Sequence, residues 1–512
     1  MKRIKKTIAA MAIAMTALAQ GIEATAQSVN PVIPGFHPDP SVCRVGDKFY
    51  LVNSTFQYFP GVPIFESTDM QHWKQIGNVL DREEQLPLKG GTSWTGIYAP
   101  TIRYNDGTYY MITTNVGNGG NFFVTSHDPK GPWSAPIWLE QQGIDPSLYF
   151  EDGRCYMVSN PDNTIMLCEI DPKTGGQLTK SKAIWRGTGG RYPEGPHIYK
   201  KDGYYYLLIS EGGTEIAHKL TIARSKKIDG PYESCPRNPI FTHCSMAGQT
   251  SQIQGTGHGD IVEGADGKWW ISFLAFRFIG GSYHHLGRET FVLPVTWDND
   301  GWPVVNDGHI AEVCGLSTAI DNSCEKSFAN IGHEFIYIQN PVEERYEHVG
   351  GALRLHCSPS TLTQNQNPTF IGRRMQHDVM RATTYVDATG LQPGDEAGMT
   401  IYQIHDGHSD IIVGKEKDGR TYITVRHQLK SLVKEEPRQY IDRQKAFLRI
   451  QSHKPETIQL MEGEHPYNMQ VKGEIDAPLL STEVVGGFTG AILGIFATGR
   501  GHADFHFFDY SH

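Results

Sequence analysis

A chain of 512 residues is too long for one hydrophobic core, and a formal net charge of −10 without any basic stripe excludes nucleic acid as a partner. Its 55 glycines and 11% aromatic residues suit turn-rich β structure and surfaces that stack on flat apolar faces such as those of sugars.

The first element is not part of the fold. Lys2, Arg3, Lys5 and Lys6 form a basic start, Ile8 to Leu18 is mostly apolar, and Ala24-Thr25-Ala26 offers a small-residue cleavage site before Gln27. This pattern predicts a secretory signal peptide over residues 1–26, with an apolar run too short to anchor in a membrane. The mature chain is therefore expected to be periplasmic or secreted, with no membrane span.

Residues 27–325 then repeat one hairpin signature five times. The copies are Gly46-Asp47-Lys48-Phe49-Tyr50, Asp106-Gly107-Thr108-Tyr109-Tyr110, Asp152-Gly153-Arg154-Cys155-Tyr156, Asp202-Gly203-Tyr204-Tyr205-Tyr206 and Asp266-Gly267-Lys268-Trp269-Trp270. Asp-Gly between β-forming runs signals a tight hairpin, because both central residues of a type I′ turn need positive φ. The final aromatics are 60, 46, 50 and 64 residues apart, which predicts four-stranded sheets repeated around an axis: a five-bladed β-propeller. Arg288 to Val295 is expected to close the last blade.

Ten residues before the final aromatic stand Pro40, Pro100, Pro146 and Pro196, with Asp260 in the fifth copy. Asp39 and Asp145 lie one residue before that position; Glu194, His258 and Tyr98 lie two before it. The first strand of a propeller blade lines the central channel, so these side chains are expected to meet at one end of it. An Asp before Pro is often only a turn residue. Three acids in a common register point instead to a site.

Two carboxyl groups flanking a glycosidic bond are the minimum apparatus of most glycoside hydrolases, and a separation of about 6.5 to 9.5 Å admits the water of an inverting reaction. Acids on different blades favour that spacing. A third carboxylate has a use as well: a like charge nearby raises the pKa of an acid that must stay protonated, a role open to Asp145 beside Glu194.

A polar stretch from Ser317 to Asn330 reads as linker. Beyond it, over residues 326–512, the hairpin echo stops but period-two alternation continues, as in Phe335 to Ile338, Leu353 to His356, Thr421 to Val425 and Phe505 to Phe508. Many short strands without a helical stripe predict a β-sandwich. The eight cysteines match no zinc module; export leaves Cys235 with Cys244 and Cys314 with Cys324 as candidate pairs, while the apolar strands around several cysteines favour buried thiols.

Several motifs, in order, resemble glycoside hydrolase family 43: Phe36-His37-Pro38-Asp39-Pro40-Ser41, Ala99-Pro100-Thr101-Ile102-Arg103, Gly143-Ile144-Asp145-Pro146-Ser147, Pro193-Glu194-Gly195-Pro196-His197, Gly257-His258-Gly259-Asp260 and Leu286-Gly287-Arg288-Glu289-Thr290. Phe370 to His377 and Glu396 to Met399 resemble the β-xylosidase C-terminal sandwich, a jelly-roll, concanavalin A-like domain. The resemblance implies an inverting hydrolase with Asp39 as general base, Glu194 as general acid and Asp145 as the residue that tunes and orients that acid. It further implies a sugar-contacting Arg288, an aromatic wall at Phe56, and His258 at the channel centre, where in some members such a histidine helps hold a calcium ion, directly or through water. No cofactor is required otherwise.

Tyr98 stands where many relatives have Trp, and Ile144 where the xylosidase branch often has Phe. Both are expected on the wall of the terminal-sugar pocket, and they favour exo-acting α-L-arabinofuranosidases acting on plant cell-wall glycans. A β-D-xylosidase or a bifunctional enzyme is the alternative; a non-catalytic sugar-binding protein fits less well, since Asp39 and Glu194 are both present. In the second domain, Arg373, Arg374 and His377 are the polar cluster expected beside the pocket.

Overall fold

The computed structural model describes residues 29–316, 327–328 and 331–512. The expected signal peptide, the junction at residues 325–326 and most of the expected linker lie outside the described residues.

Five antiparallel sheets follow one another along the chain. Blade I holds strands Ser41–Val45, Lys48–Val52, Gly61–Ser67 and Lys74–Leu80. Blade II is built on Thr101–Asn105, Thr108–Val116, Gly120–Ser126 and Ile137–Trp138, with Gly96–Ile97 as an extra pairing segment. Blades III, IV and V open with Ser147–Glu151, Glu194–Lys201 and Ile253–Glu263. Each repeat signature is the hairpin joining the first two strands of its blade.

In the three middle copies both turn residues have positive φ, as at Asp152 (48°) and Gly153 (76°), which is the type I′ geometry expected of Asp-Gly. The outer copies differ: only Gly46 and only Gly267 are positive there. In the fifth copy the loop is longer, with Gly264 N–H donating to Lys268 O at 2.7 Å.

Arg288 to Val295 supplies most of the third strand of blade V, Glu289–Trp297. The segment before blade I docks onto it and closes the ring: Ile33 pairs with Thr290, Asn30 Nδ2 donates to Val292 O at 2.8 Å, and Asn30 also pairs with Cys314.

The channel floor is a buried polar knot around Asp260. Its carboxylate accepts from Arg103 Nη1 (2.7 Å) and Nη2 (3.2 Å), Ser41 Oγ (2.7 Å) and the Tyr199 hydroxyl (2.6 Å). Arg103 Nη2 also reaches His197 Nδ1 at 2.9 Å, and that nitrogen lies 3.1 Å from Ser147 Oγ. First strands of all five blades therefore meet in one network.

The second domain is a two-sheet sandwich. One sheet runs Phe335–Ile338, Thr369–Arg374, Ile492–Thr498, Glu396–Ile404, Gly407–Lys415, Thr421–Leu429 and Leu432–Glu435; the other is centred on His502–Ser511, Met380–Asp387 and Lys445–Lys454. Leu353, Ile371, Met399, Leu448 and Phe505 fill the core between them. Glu396–Ile404 is buried after its first residue, because one face meets the opposite sheet and the other meets the propeller. Tyr58–Phe59 of the propeller pairs with Phe335–Ile338, so hydrogen bonding runs across the domain seam.

Cys235 is a buried thiol and Cys244 an exposed one, so this candidate disulfide is not formed. The second candidate involves Cys324, outside the described residues. Among the described residues no helix is long and apolar enough to cross a membrane.

Replacing Asp260 by Ala leaves the Arg103 cation without its counter-charge in the channel. The expected loss is about 3 to 5 kcal/mol of unfolding free energy, read from the denaturant midpoint; an unchanged midpoint would remove the knot from its structural role.

Candidate active site

Asp39 and Asp145 both adopt left-handed backbone, with φ of 54° and 52°, immediately before Pro40 and Pro146. Such a conformation is strained for a residue with a side chain and persists only where the surroundings enforce it. Its recurrence at one repeat position shows how two blades deliver a carboxyl group to the same place. Glu194 begins its strand next to a register shift, and His258 (φ 45°) sits inside another, between Gly257 and Asp260. Bulges of this kind re-aim side chains at the end of a sheet.

The residues singled out in the sequence come together. Asp39, Asp145, Glu194, His258 and Arg288 line one cavity with Phe56, Tyr98 and Ile144. Ala99, Thr214 and Phe488 complete it. The space they enclose is small, about 60 Å³.

The acids have different surroundings. Burial opposes ionisation of Asp39, but Arg288, His258 and Ser54 outweigh it and hold the carboxyl below its ordinary range. Arg288 Nη1 donates to Asp39 Oδ1 at 3.0 Å and Ser54 Oγ to Oδ2 at 2.5 Å. Asp145 has no such cation in hydrogen-bonding reach. Burial, then the charges of Glu194 and Asp39, push it well above the carboxylate range, opposed weakly by a Gly195 N–H at 3.2 Å. Interacting carboxyl groups of this kind titrate as a unit. Asp145 thus retains its proton at pH values where Asp39 has lost its own.

Arg288 also donates to Thr214 Oγ1 (2.9 Å) and to the Phe488 carbonyl (3.2 Å). Phe56 is both wall and core: it lines the cavity yet is only 2% exposed, packed on Tyr98, Phe488 and Phe36 at centroid distances of 5.1, 5.6 and 6.0 Å. The Tyr98 hydroxyl donates to Trp94 O at 2.6 Å.

Three contributors escaped the sequence reading. Phe488 comes from the second domain, inside Gly486-Gly487-Phe488-Thr489-Gly490; its N–H donates to Ser93 O at 3.0 Å and its ring meets Trp94 at 4.8 Å. A Cβ on Gly490 would lie 2.2 Å from Leu286 O, so glycine is what lets this loop touch the propeller. An aromatic residue in a glycine-rich loop was the available signal. Thr214 follows the glycine pair Gly212-Gly213. His218 is buried, with Nδ1 3.2 Å from Gly255 O and Nε2 3.5 Å from Glu194 Oε1. A carbonyl can only accept, so Nδ1 carries the proton and Nε2 faces the acid.

The expected cluster Arg373, Arg374 and His377 is not at the cavity. Strand pairing continues through Arg373 and Arg374, opposite Leu493 and Ile492; Arg374 lies over Phe36 of the propeller at 5.7 Å, whereas Arg373 lies over Tyr510 of the second domain at 4.2 Å. His377 stacks on His512 with centroids 3.5 Å apart.

His258 has burial as the dominant influence, which holds its imidazole below the ordinary range although Asp39 and Glu194 oppose this. Its Nδ1 is 3.9 Å from Asp39 Oδ1. Among the described residues no three His, Cys, Asp or Glu side chains are placed to hold a metal ion. One imidazole does not match the oxygen preference of calcium.

Two carboxyl environments of opposite tendency, supplied by separate propeller blades to one cavity, define a glycoside hydrolase. Residues 28–303 match the model for glycosyl hydrolases family 43, and residues 327–511 match the beta-xylosidase C-terminal concanavalin A-like domain. The chain belongs to glycosyl hydrolase family 43. It is 39% identical over 503 residues to the non-reducing end alpha-L-arabinofuranosidase BoGH43B of Bacteroides ovatus, covering 94% of each chain. A xylosidase/arabinosidase of Butyrivibrio fibrisolvens is 39% identical over 521 residues, covering 94% of this chain and 98% of that one. The solved structure of Bacteroides ovatus Xyloglucan PUL GH43B superposes with a TM-score of 0.89 at 37% identity, over 94% of this chain and 99% of that one.

A Gly490→Val enzyme should keep its propeller but displace Phe488, lowering kcat/KM by roughly ten- to a hundredfold. Wild-type kinetics in a folded Gly490→Val protein would mean that the second domain does not shape the cavity.

Proposed function

We propose that the protein is an exo-acting, inverting α-L-arabinofuranosidase that removes terminal arabinofuranosyl units from plant cell-wall polysaccharides or their oligosaccharides. The observation that carries this is the divergence of the acids: Asp39 is stabilised as a carboxylate by Arg288, while Asp145 beside Glu194 is pushed toward its protonated form.

In this reading Asp39 takes a proton from a water molecule as that water attacks the anomeric carbon. Glu194, whose side chain is 17% exposed and so nearer the mouth than the 6% of Asp39, gives its proton to the glycosidic oxygen. The bond to that oxygen breaks, and configuration inverts because attack and departure are on opposite faces. Asp145 keeps the proton within the acid pair and holds the Gly195 N–H beside Glu194. Arg288 orients the base and offers its fork to sugar hydroxyls.

Tyr98 and Ile144 on the wall, and similarity to a protein named as a non-reducing end alpha-L-arabinofuranosidase, support the arabinofuranosyl preference. The second reading, a β-D-xylosidase or bifunctional enzyme, is favoured by the relative named xylosidase/arabinosidase. One wall contact separates such substrates by only about 1 to 3 kcal/mol. A periplasmic or secreted location rests on the signal peptide read from residues 1–26.

Purified protein should release pentose from 4-nitrophenyl α-L-arabinofuranoside faster than from the β-D-xylopyranoside; the reverse ratio selects the second reading, and no release from either by folded protein sinks both. Asp39→Ala should lower kcat by about 10² to 10⁴-fold. Glu194→Ala should lose comparably on sugar leaving groups, but far less on dinitrophenyl glycosides, which need no protonation.

The pH profile of kcat/KM should be bell-shaped. Activity rises as Asp39 ionises, below the ordinary carboxylate range, and falls when the raised Asp145 carboxyl loses its proton at higher pH. Asp145→Asn removes a like charge, so the alkaline limb should move to lower pH; an unmoved limb would take the tuning role from Asp145.

A further inference from the structure

A second cavity adjoins the catalytic one and shares Thr214, Arg288 and Phe488 with it. At about 390 Å³ it falls within the roughly 300 to 1,000 Å³ of small-ligand sites, whereas the catalytic cavity encloses about 60 Å³. A glycan that presents its terminal unit to the acids keeps the rest of its chain outside so small a space. The larger cavity stands next to it.

Its walls come from both domains. The propeller brings Trp94 and Ile216, which are 46% and 50% exposed although large and apolar. The second domain brings Thr482, Glu483 and the pair Gly486-Gly487. Gly486 has a φ of 88°, and a Cβ there would lie 3.0 Å from the Trp94 ring, so glycine lets this segment lie against the indole. Aromatic and aliphatic surface beside hydroxyl and carboxylate groups suits a pyranose ring, which is apolar on its faces and hydroxylated around its edge.

The segment from Thr214 to His218 ties this cavity to the acid. His218 N–H donates to Glu215 O at 3.0 Å, and its Nε2 is 3.5 Å from Glu194 Oε1. Arg191, three residues before Glu194, donates from Nη2 to Glu215 Oε2 at 2.8 Å and to Gly212 O at 3.1 Å. Thr214 to Ile216 therefore run from the edge of the catalytic cavity, beside the acid, into the second cavity. The basic groups lining it are already engaged: Arg288 faces Asp39 at 3.0 Å, and His284 donates to Glu483 from Nδ1 at 2.6 Å and from its backbone N–H at 3.0 Å. Glu215 and Glu483 put carboxylates on the walls, and a second anion beside them is opposed.

We propose that this cavity receives the leaving group of the reaction: the neutral pyranosyl unit to which the removed pentose is attached, stacked on Trp94 and Ile216 and hydrogen-bonded by Thr482 and Glu483. The inference rests on the hydrolase reading above. It makes the second domain a reader of what the pentose is attached to.

The test measures kcat/KM on three substrates of whichever pentose the enzyme releases: its methyl glycoside, the same pentose linked to a neutral pyranosyl oligosaccharide, and the same pentose linked to a uronosyl oligosaccharide. Ile216→Ser and Trp94→Leu should each lower the value on the neutral oligosaccharide roughly tenfold more than on the methyl glycoside. Each substrate is compared with itself in the wild-type enzyme, so the chemistry of the leaving groups cancels. The uronosyl substrate should be slower than the neutral one, and Glu483→Gln should narrow that gap. Crystals of Glu194→Gln with the neutral oligosaccharide should show its second unit against Trp94 and Ile216. Equal losses on methyl glycoside and oligosaccharide, a uronosyl substrate as fast as the neutral one, or a chain that leaves the catalytic cavity in another direction overturns the proposal. No pentose from any of the three would sink the hydrolase reading itself, and this inference with it.

Discussion

The buried pairing of Asp260 with Arg103 is the constraint on which the rest of the structure depends. A propeller has five similar sheets and no element that spans them, so the channel must supply the common tie. Here a single carboxylate, with no exposed side-chain surface, gathers Ser41, Arg103 and Tyr199 directly, while His197 extends the knot to Ser147. Such a knot brings almost no net hydrophobic gain. It does fix the rotation of each first strand about the axis, and that decides where the residues preceding those strands can point.

Above that floor the channel treats its acids unequally. Asp260 and Asp39 each have an arginine within hydrogen-bonding distance and are held ionised; Asp145, just as buried, has neighbouring carboxyl groups instead. The arrangement separates Asp39, able to accept a proton, from Asp145, able to keep one, within a single cavity. Strain at Asp39 and Asp145 is tolerated because the blades beneath them are locked.

The second domain is part of the same site. Its Phe488 closes the cavity and its backbone carbonyl holds Arg288, the residue that also holds Asp39. The seam is correspondingly intimate, with a shared strand pairing at Tyr58–Phe59 and a backbone contact that only glycine permits at Gly490. The sandwich thus acts on the chemistry by packing and not by contributing an acid.

Much of this was legible before any coordinates. The spacing of five Asp-Gly or Gly-Asp hairpins carried the blade count, and the shared offsets of Asp39, Asp145, Glu194, His258 and Tyr98 carried their convergence, because both are local regularities of the chain. The fifth copy has Asp260 where the others have proline, but its place as the hub emerged only with Arg103 and Tyr199 beside it. Closure by Asn30 to Ile33, the reach of Phe488 into a cavity whose other residues all lie at least 200 positions earlier, and the burial of Arg374 left no such regularity. Sequence alone determined the repeated architecture and the identity of the acids, since hairpin chemistry and strand offsets are written within each repeat. Only the tertiary structure decided which acid is charge-compensated and what closes the cavity, because both depend on contacts between segments far apart along the chain.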